Sequence, residues 1–395
     1  MEHLYYPFQI LFWVFLGIVF YTYLGYGILL YLLVKVKETF YPLKKNTETV
    51  VLPDVTLFIA AYNEESIIPK KMENCLSLDY PENKLKIVWV TDGSNDSTND
   101  LLREYPDVTV LYQPERQGKT AALNRGMSYI TTPFVIFTDA NTMLNQAAIK
   151  EIVNRFSNAK VGCVAGEKRV EIQEALGATA GEGIYWKYES ALKDLDDRLY
   201  SAVGAAGELF AIRTSLFEKM PSDTLLDDFI LSLRIAGKGY KIAYCKNAYA
   251  LESASLNMKE EEKRKIRIAA GGIQSIWRLR YLLNLSRYGT LSFQYISHRV
   301  LRWTITPIVL FLLLPINLLL ACSGSTLYIT ILFLQILFYM AAFAGHRMEQ
   351  KHIRNKLFFV PYYFTFMNIN VIKGFFYLFH HQGSGIWEKA KRVEK

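Results

Sequence analysis

Residues 87–97 read Ile87-Val88-Trp89-Val90-Thr91-Asp92-Gly93-Ser94-Asn95-Asp96-Ser97, a short apolar run that breaks abruptly into turn-forming polar residues. An apolar run of this length without alternation fits a strand buried on both faces, and the polar tail marks its end. Residues 55–60 likewise run into Ala61-Tyr62-Asn63-Glu64-Glu65, and residues 134–138 into Asp139-Ala140-Asn141. Residues 108–112 and 161–165 are further strand-like runs, with helical patterns around 64–75, 119–129 and 146–156. Strands alternating with helices predict an α/β fold with a mostly parallel sheet covered on both faces. Ligands of such sheets bind beyond the carboxyl ends of the strands, where these three polar clusters would face one crevice.

Any one cluster is explained by a helix cap or an Asx turn. Three in register point to a site. Asp139 and Asn141 offer a carboxylate and a carboxamide, hard oxygen ligands for Mg²⁺ or Mn²⁺, and such an ion commonly bridges two phosphates of a nucleotide. The chain has no G-x-G-x-x-G, so a dinucleotide fold has no support. Gly118-Lys119-Thr120 matches the end of a P-loop, but Gln113 stands at the earlier glycine position, which excludes that ATPase motif. Arg116 and Lys119 precede or open a helix on the same sheet edge and can lend positive charge to phosphates, although a solvated basic turn explains them equally well.

The 395 residues are 51% hydrophobic and 14% aromatic, with 45 Lys+Arg against 37 Asp+Glu and a net charge of +8. That composition excludes a disordered or collagen-like chain. Mean hydropathy is +0.10, high for a fully soluble protein. Cys75, Cys163, Cys245 and Cys322 are scattered and indicate neither a disulfide framework nor a zinc site.

Residues 8–34 carry no charged side chain, a run longer than the ~20 residues a helix needs to cross the hydrocarbon core, which predicts a transmembrane helix over residues 1–34. Glu2 before it and Lys35, Lys37, Lys44 and Lys45 after it argue against a signal peptide and place the following domain, residues 35–255, in the cytoplasm. The next charge-free run, 303–345, is interrupted by Ser323-Gly324-Ser325 and reads as a hairpin of two spans, 303–322 and 327–345. Arg299 and Arg302 precede it and Arg347, Lys351, Arg354 and Lys356 follow it, so both ends face the cytoplasm. Residues 357–379 hold Asn368, Asn370 and Lys373 near their middle, which are costly against lipid. That segment either spans, is re-entrant or packs against other helices, with a basic tail over 380–395. Its polar groups either face a helix partner or line a path for a lipid or glycan. The expected location is a bacterial inner (plasma) membrane. The excess of cations lies in loops beside that membrane, where anionic lipids account for it, so no nucleic-acid partner is expected.

The second half of the cytoplasmic region differs in character. A predicted helix begins around residues 181–189 and contains Trp186, which reads as core or as a sugar platform. Small residues follow over 203–211, including Gly207 beside Glu208, and let a backbone approach a ligand closely. Leu225-Leu226-Asp227-Asp228-Phe229 opens an amphipathic helix, where the two acids are caps or one is a general base. In the basic region 256–302, Arg264, Arg267 and Gly271 share a helix face on which arginine could hold a diphosphate bidentately. Trp277, Tyr281 and Leu282, with Arg278, Arg280 and Arg287, read as an interfacial amphipathic helix.

In order and spacing these motifs resemble the membrane-type family 2 inverting glycosyltransferases, the group that includes cellulose, hyaluronan and poly-N-acetylglucosamine synthases. The resemblance covers about residues 54–272 plus the membrane layout. It implies a GT-A-like nucleotide-sugar-binding domain flanked by transmembrane and interfacial helices. In that likeness Asp92 contacts the nucleoside, Tyr62 and Glu64 belong to the loop around the base, and Asp139 is the metal-binding aspartate of D-x-D. Asp228 is similar in place to the catalytic aspartate of T-E-D, with Asp227 where the family often has Glu, and Arg267 to the arginine of Q-x-x-R-W. Asn141 replaces the second aspartate of D-x-D, which keeps an oxygen ligand but removes a negative charge. Arg264 and Ile268 occupy the Q and W positions, removing the aromatic platform of a growing polysaccharide.

The implied activity is transfer of a sugar, by the resemblance UDP-linked, to a lipid-linked or glycan acceptor in surface polysaccharide or glycolipid synthesis. Asp228 would act as base while the metal, Lys119 and Arg267 stabilise the departing diphosphate, with Arg116 and Arg264 as further donor contacts. Trp186, Gly207 and Glu208 are the expected acceptor contacts. Alternatives are a processive synthase that exports its own polymer and a catalytically silent scaffold or transporter on the same fold.

Overall fold

The computed structural model describes residues 2–42, 52–171, 177–351, 353 and 355–380. Among them eight strands form one sheet: β1 (Val55–Ala61), β2 (Leu85–Asp92), β3 (Val108–Gln113), β4 (Phe134–Asp139), β5 (Thr142–Leu144), β6 (Val161–Glu171), β7 (Leu209–Arg213) and β8 (Lys241–Ser253). Their order is β3-β2-β1-β4-β7-β6-β8-β5. Strands β1 to β4 are parallel, as the sequence predicts. Beyond β4 the sheet is mixed, because β7 runs antiparallel to both β4 and β6, and β5 antiparallel to β8. A run of apolar residues records burial on two faces but not direction, so this reversal has no local signature.

The helices are α1 (Glu2–Phe20), α2 (Tyr26–Phe40), α3 (Ile68–Leu76), α4 (Thr98–Arg103), α5 (Lys119–Gly126), α6 (Ala148–Arg155), α7 (Gly177–Leu199), α8 (Asp227–Gly237), α9 (Met258–Arg278), α10 (Leu285–Tyr288), α11 (Thr290–Tyr295), α12 (Leu301–Trp303), α13 (Ile305–Ala321), α14 (Thr326–Gln350) and α15 (Lys356–His380). Alternation along β1 divides the core. Phe58 joins Leu123 of α5 and Ile230 of α8 on one face. Leu57 and Ile59 join Met72 of α3 and Ile152 of α6 on the other. Phe137 stacks on Phe210 at 4.7 Å, filling the seam where β4 meets the reversed β7. Burying such rings contributes about 1.5–3 kcal/mol each.

Helices α1 and α2 join through a π-helical turn at Tyr21–Gly25. By length and composition Tyr5–Phe40 and Thr326–Gln350 could each cross a membrane, and Thr290–Trp303 with Ile305–Ala321 forms a pair bent by 52° that could make a third crossing. Helix α2 does not end at residue 34 as expected. It continues to Phe40, Tyr26 and Leu30 pack on Leu192 of α7, and Lys37 Nζ donates to the carbonyls of Arg198 (2.7 Å) and Leu199 (2.8 Å). The expected break between α13 and α14 is a turn in which Gly324 adopts φ +79.

Helix α15 is unbroken and lies along α9. Lys373 pairs with Glu262, Tyr23 Oη donates to Asn368 Oδ1, and a Cβ on Gly374 would come within 2.6 Å of the Ala269 Cβ. Two of the three polar groups in its middle thus face helix partners. The stretch expected after Trp277 to be one amphipathic helix is broken into short pieces, with Trp277 and Tyr281 exposed. Arg278 bonds Asp223 at 2.6 Å and Thr224 Oγ1 at 2.7 Å, Leu282 is fully buried, and the chain there makes a short 3-10 turn, Arg280–Leu283, before α10. A carboxylate more than 50 residues away, invisible to a local reading, claims the arginine. The basic tail beyond residue 380 falls outside the described residues.

Candidate active site

Strand register sets the site's outline. Ala60 pairs with Asp139, Ala61 with Thr91 and Asp92 with Gln113, so the three polar clusters leave the sheet at the same edge. Asp92, 4% exposed, accepts the backbone N–H groups of Gln117 at 3.1 Å and Gly118 at 2.6 Å. Gly118 follows with φ +93, a conformation open to glycine, and Lys119 begins α5. Asp92 therefore aims Lys119, whose Nζ donates to Asp139 Oδ1 at 2.7 Å. Beside this loop the Arg116 guanidinium lies 3.8 Å from the Tyr62 ring centroid, in cation–π contact. Asn63, at φ 49, exchanges hydrogen bonds with Asn95, and the Glu64 N–H donates to Thr98 Oγ1 at 2.8 Å.

A cavity of about 220 Å³ gathers Lys119, Asp139, Gly207, Asp227, Asp228 and Arg267. The sequence-predicted Trp186, Glu208 and Arg264 also line it. Tyr62, Glu64, Asp92, Arg116 and Asn141 do not. The acids come from the start of α8, whose placement follows from the loop before β7: Ala205 N–H donates to Ser232 Oγ, and Ser232 Oγ donates to the Asp228 carbonyl. The small residues are needed there. A Cβ on Gly204, at φ +85, would lie 2.3 Å from the Phe229 ring, and one on Gly207 would lie 3.3 Å from Lys119 Nζ and 3.6 Å from Asp228 Oδ2.

Burial, and then the neighbouring Asp227, pushes the Asp228 carboxyl up to about 7, against the pull of Lys119. Burial disfavours the Lys119 ammonium, but Asp139, Asp227 and Asp228 outweigh it and hold its pKa above the ordinary lysine value. Burial likewise opposes the Glu208 carboxylate, yet Lys168 keeps it well below the usual range, and Lys168 also pairs with Glu252. The Trp186 ring lies under Lys168 at 4.8 Å and Lys265 at 5.6 Å. Arg264 pairs with Glu261 at 3.0 Å while lining the cavity. Gly271 serves packing, since a Cβ there would meet Leu226 Cγ at 2.6 Å.

Several lining residues were not anticipated: Glu189, Lys193, Glu252 and Arg299, with Trp303 beside them. One signal was available. Trp186, Glu189 and Lys193 stand at i, i+3 and i+7 on α7 and so share a face.

Among the described residues no group of three or more His, Cys, Asp or Glu could hold a metal by itself. Asp139 on the cavity wall, with Asn141 in the turn after it, fits an ion that arrives with a nucleotide and takes further ligands from its phosphates and water.

A family model described as "Glycosyltransferase like family 2" matches residues 53–271. Poly-beta-1,6-N-acetyl-D-glucosamine synthase of Staphylococcus aureus (strain COL) is 27% identical over 256 residues, 61% of this chain and 60% of that protein. The probable glycosyltransferase YdaM of Bacillus subtilis (strain 168) is 27% identical over 243 residues, 56% of this chain and 55% of that one. The chain thus spans under two thirds of the length of these relatives. Among solved structures, the mannosyltransferase PcManGT from Pyrobaculum calidifontis, in complex with GDP-Man and Mn²⁺, superposes with a TM-score of 0.71 at 20% identity, covering 93% of this chain and 99% of that one. That likeness establishes the GT-A fold expected from the motif order. With more than half of its length matched, the chain belongs to glycosyltransferase family 2 and is related to polysaccharide synthases.

Proposed function

We propose that this protein moves a sugar from a nucleotide sugar to a lipid-linked acceptor at the cytoplasmic face of a membrane, inverting the anomeric carbon. The observation that carries this reading is a shared wall. Trp303, Met367 and Val371 line both the cavity holding Asp228 and a second, apolar cavity of about 660 Å³ between α1 and α15. Phe20, Leu24 and Phe364 are among that cavity's walls. An acceptor chain resting there would bring its sugar directly to the acids.

Asp228 takes the proton of an acceptor hydroxyl as that oxygen bonds to the anomeric carbon, and the bond from this carbon to the diphosphate oxygen breaks with its electron pair. A carboxylate titrating near neutrality suits this task. Lys119 and Arg267 meet the charge that develops on the leaving diphosphate. Mg²⁺ or Mn²⁺, held at Asp139 and Asn141 together with the donor, would supply further neutralisation of that charge. Tyr62 with Arg116 would face the base and Asp92 would set the loop, while Trp186, Gly207, Glu208 and Arg264 border the reacting sugars. Replacement of the aromatic platform by Ile268 favours adding one or a few sugars over polymerisation.

Purified protein in detergent, offered UDP- and GDP-linked sugars with Mg²⁺ or Mn²⁺ and a lipid-linked glycan, should release one nucleoside diphosphate and extend the lipid. Release with no divalent-ion dependence would overturn the metal assignment. Long polymer made without a lipid would overturn the acceptor.

A further inference from the structure

We propose that Lys193 forms an anion subsite in the catalytic cavity that holds the phosphate or diphosphate ester joining the acceptor's sugar to its lipid. This rests on the function proposed above and narrows the acceptor to an anionic amphiphile. Lys193 is 5% exposed and lines the cavity. Each of its buried cationic neighbours contacts a carboxylate: Lys168 meets Glu208 and Glu252, Lys265 meets Glu261, and Arg299 and Arg302 share Glu189. Among the described residues no hydrogen bond or ion pair holds the Lys193 ammonium. A buried cation without a close partner is costly, and a site that keeps one is built to receive an anion.

Position selects the acceptor over the donor. The donor end has its own cations, Lys119 at Asp139 and Arg267. Lys193 shares its helix face with Glu189, one turn earlier, and Glu189 is bonded by Arg299, whose guanidinium lies 5.4 Å from the Trp303 ring. Trp303 is part of the wall between the two cavities. The charges acting on Lys193 are Arg299, Glu189, Glu208 and Asp228, and burial with Arg299 beside it holds its ammonium below the ordinary lysine value. An amphiphile with its chain in the apolar cavity and its phosphate at Lys193 would set the first sugar hydroxyls near Asp228. Nothing is transferred to or from Lys193.

The test compares polyprenyl phosphate, the matching polyprenol and a free nucleoside diphosphate with Mn²⁺ as ligands of the full chain in detergent, by native mass spectrometry. Wild type should bind polyprenyl phosphate at least about tenfold more tightly than polyprenol. Lys193→Met should abolish that preference, Lys193→Arg should keep most of it, and nucleoside diphosphate binding should be the same in all three. Since methionine removes an unmatched buried charge, its unfolding midpoint should equal or exceed wild type, which separates a lost ligand from a lost fold. A phosphate preference absent from wild type or retained in Lys193→Met overturns the subsite, and loss of diphosphate binding instead assigns Lys193 to the donor. Wild type that binds no nucleoside diphosphate at all overturns the proposed function, whatever the lipid result.

Discussion

Lys119 Nζ lies 2.7 Å from Asp139 Oδ1, so the cation that would face the leaving diphosphate is parked on the carboxylate that would face the metal. In the proposed function the two roles would compete until a donor arrives. Phosphate oxygens would then draw Lys119 away and leave Asp139 to the ion, coupling metal binding to nucleotide binding.

Lys119→Met should therefore split two readouts. Half-saturation by Mn²⁺ at fixed donor should shift to lower metal concentration, because the competing ammonium is gone. The rate should fall about 10²- to 10³-fold, as expected when one preorganised stabiliser of developing charge is lost. Asp139→Asn should shift metal saturation the other way. Equal metal dependence in both variants would refute the competition.

Asp228→Asn should lower kcat about 10²- to 10⁴-fold and leave donor affinity nearly unchanged. In wild type, kcat/KM should rise with pH through about 7, since the base works only when ionised. Asp227→Asn removes one cause of the upward shift, so its acidic limb should move to lower pH. A limb that stays in place would show that Asp227 does not act on Asp228.

The same carboxyl makes a stability prediction. Its folded pKa lies above the ordinary aspartate value, so the folded state binds the extra proton, and stability is full below about 4 and declines as pH rises through about 7. Asp228→Asn should raise the thermal midpoint at pH 8 and change it little at pH 4. Thermal unfolding in detergent at both values checks this.

Two glycines should fail differently. Gly204→Ala places a Cβ 2.3 Å from the Phe229 ring at φ +85 and should destabilise the fold by about 1–3 kcal/mol. Gly207→Ala meets only the far end of Lys119, at 3.3 Å, and Asp228 Oδ2, at 3.6 Å. It should keep the unfolding midpoint within about 1 °C and lose activity. Denaturation curves beside single-turnover rates separate the two.

Polar residues that follow apolar runs were enough to place Asp92 and Asp139 on one sheet edge, because a parallel βα unit delivers every strand's carboxyl end to the same side. The start of α8 at Asp227 and the break at Gly324 were equally local, written in the acids of a first helical turn and in turn chemistry. Asp92 shows what a local reading leaves out: its position at the strand end is legible, and its grip on the backbone of Gln117 and Gly118, 25 and 26 residues on, is not.

Sequence alone determined five of the eight strands, β1 to β4 and β6, and where the apolar helices lie, since burial period and turn preference act over a few residues. Tertiary structure alone decided that β7 reverses, that Lys168 spans Glu208 and Glu252, that Glu189 takes Arg299 and Arg302, and that among the described residues no hydrogen bond or ion pair holds Lys193. These pairings join residues 40 to 113 positions apart, and a charge carries no local mark of the partner it will meet once water is excluded.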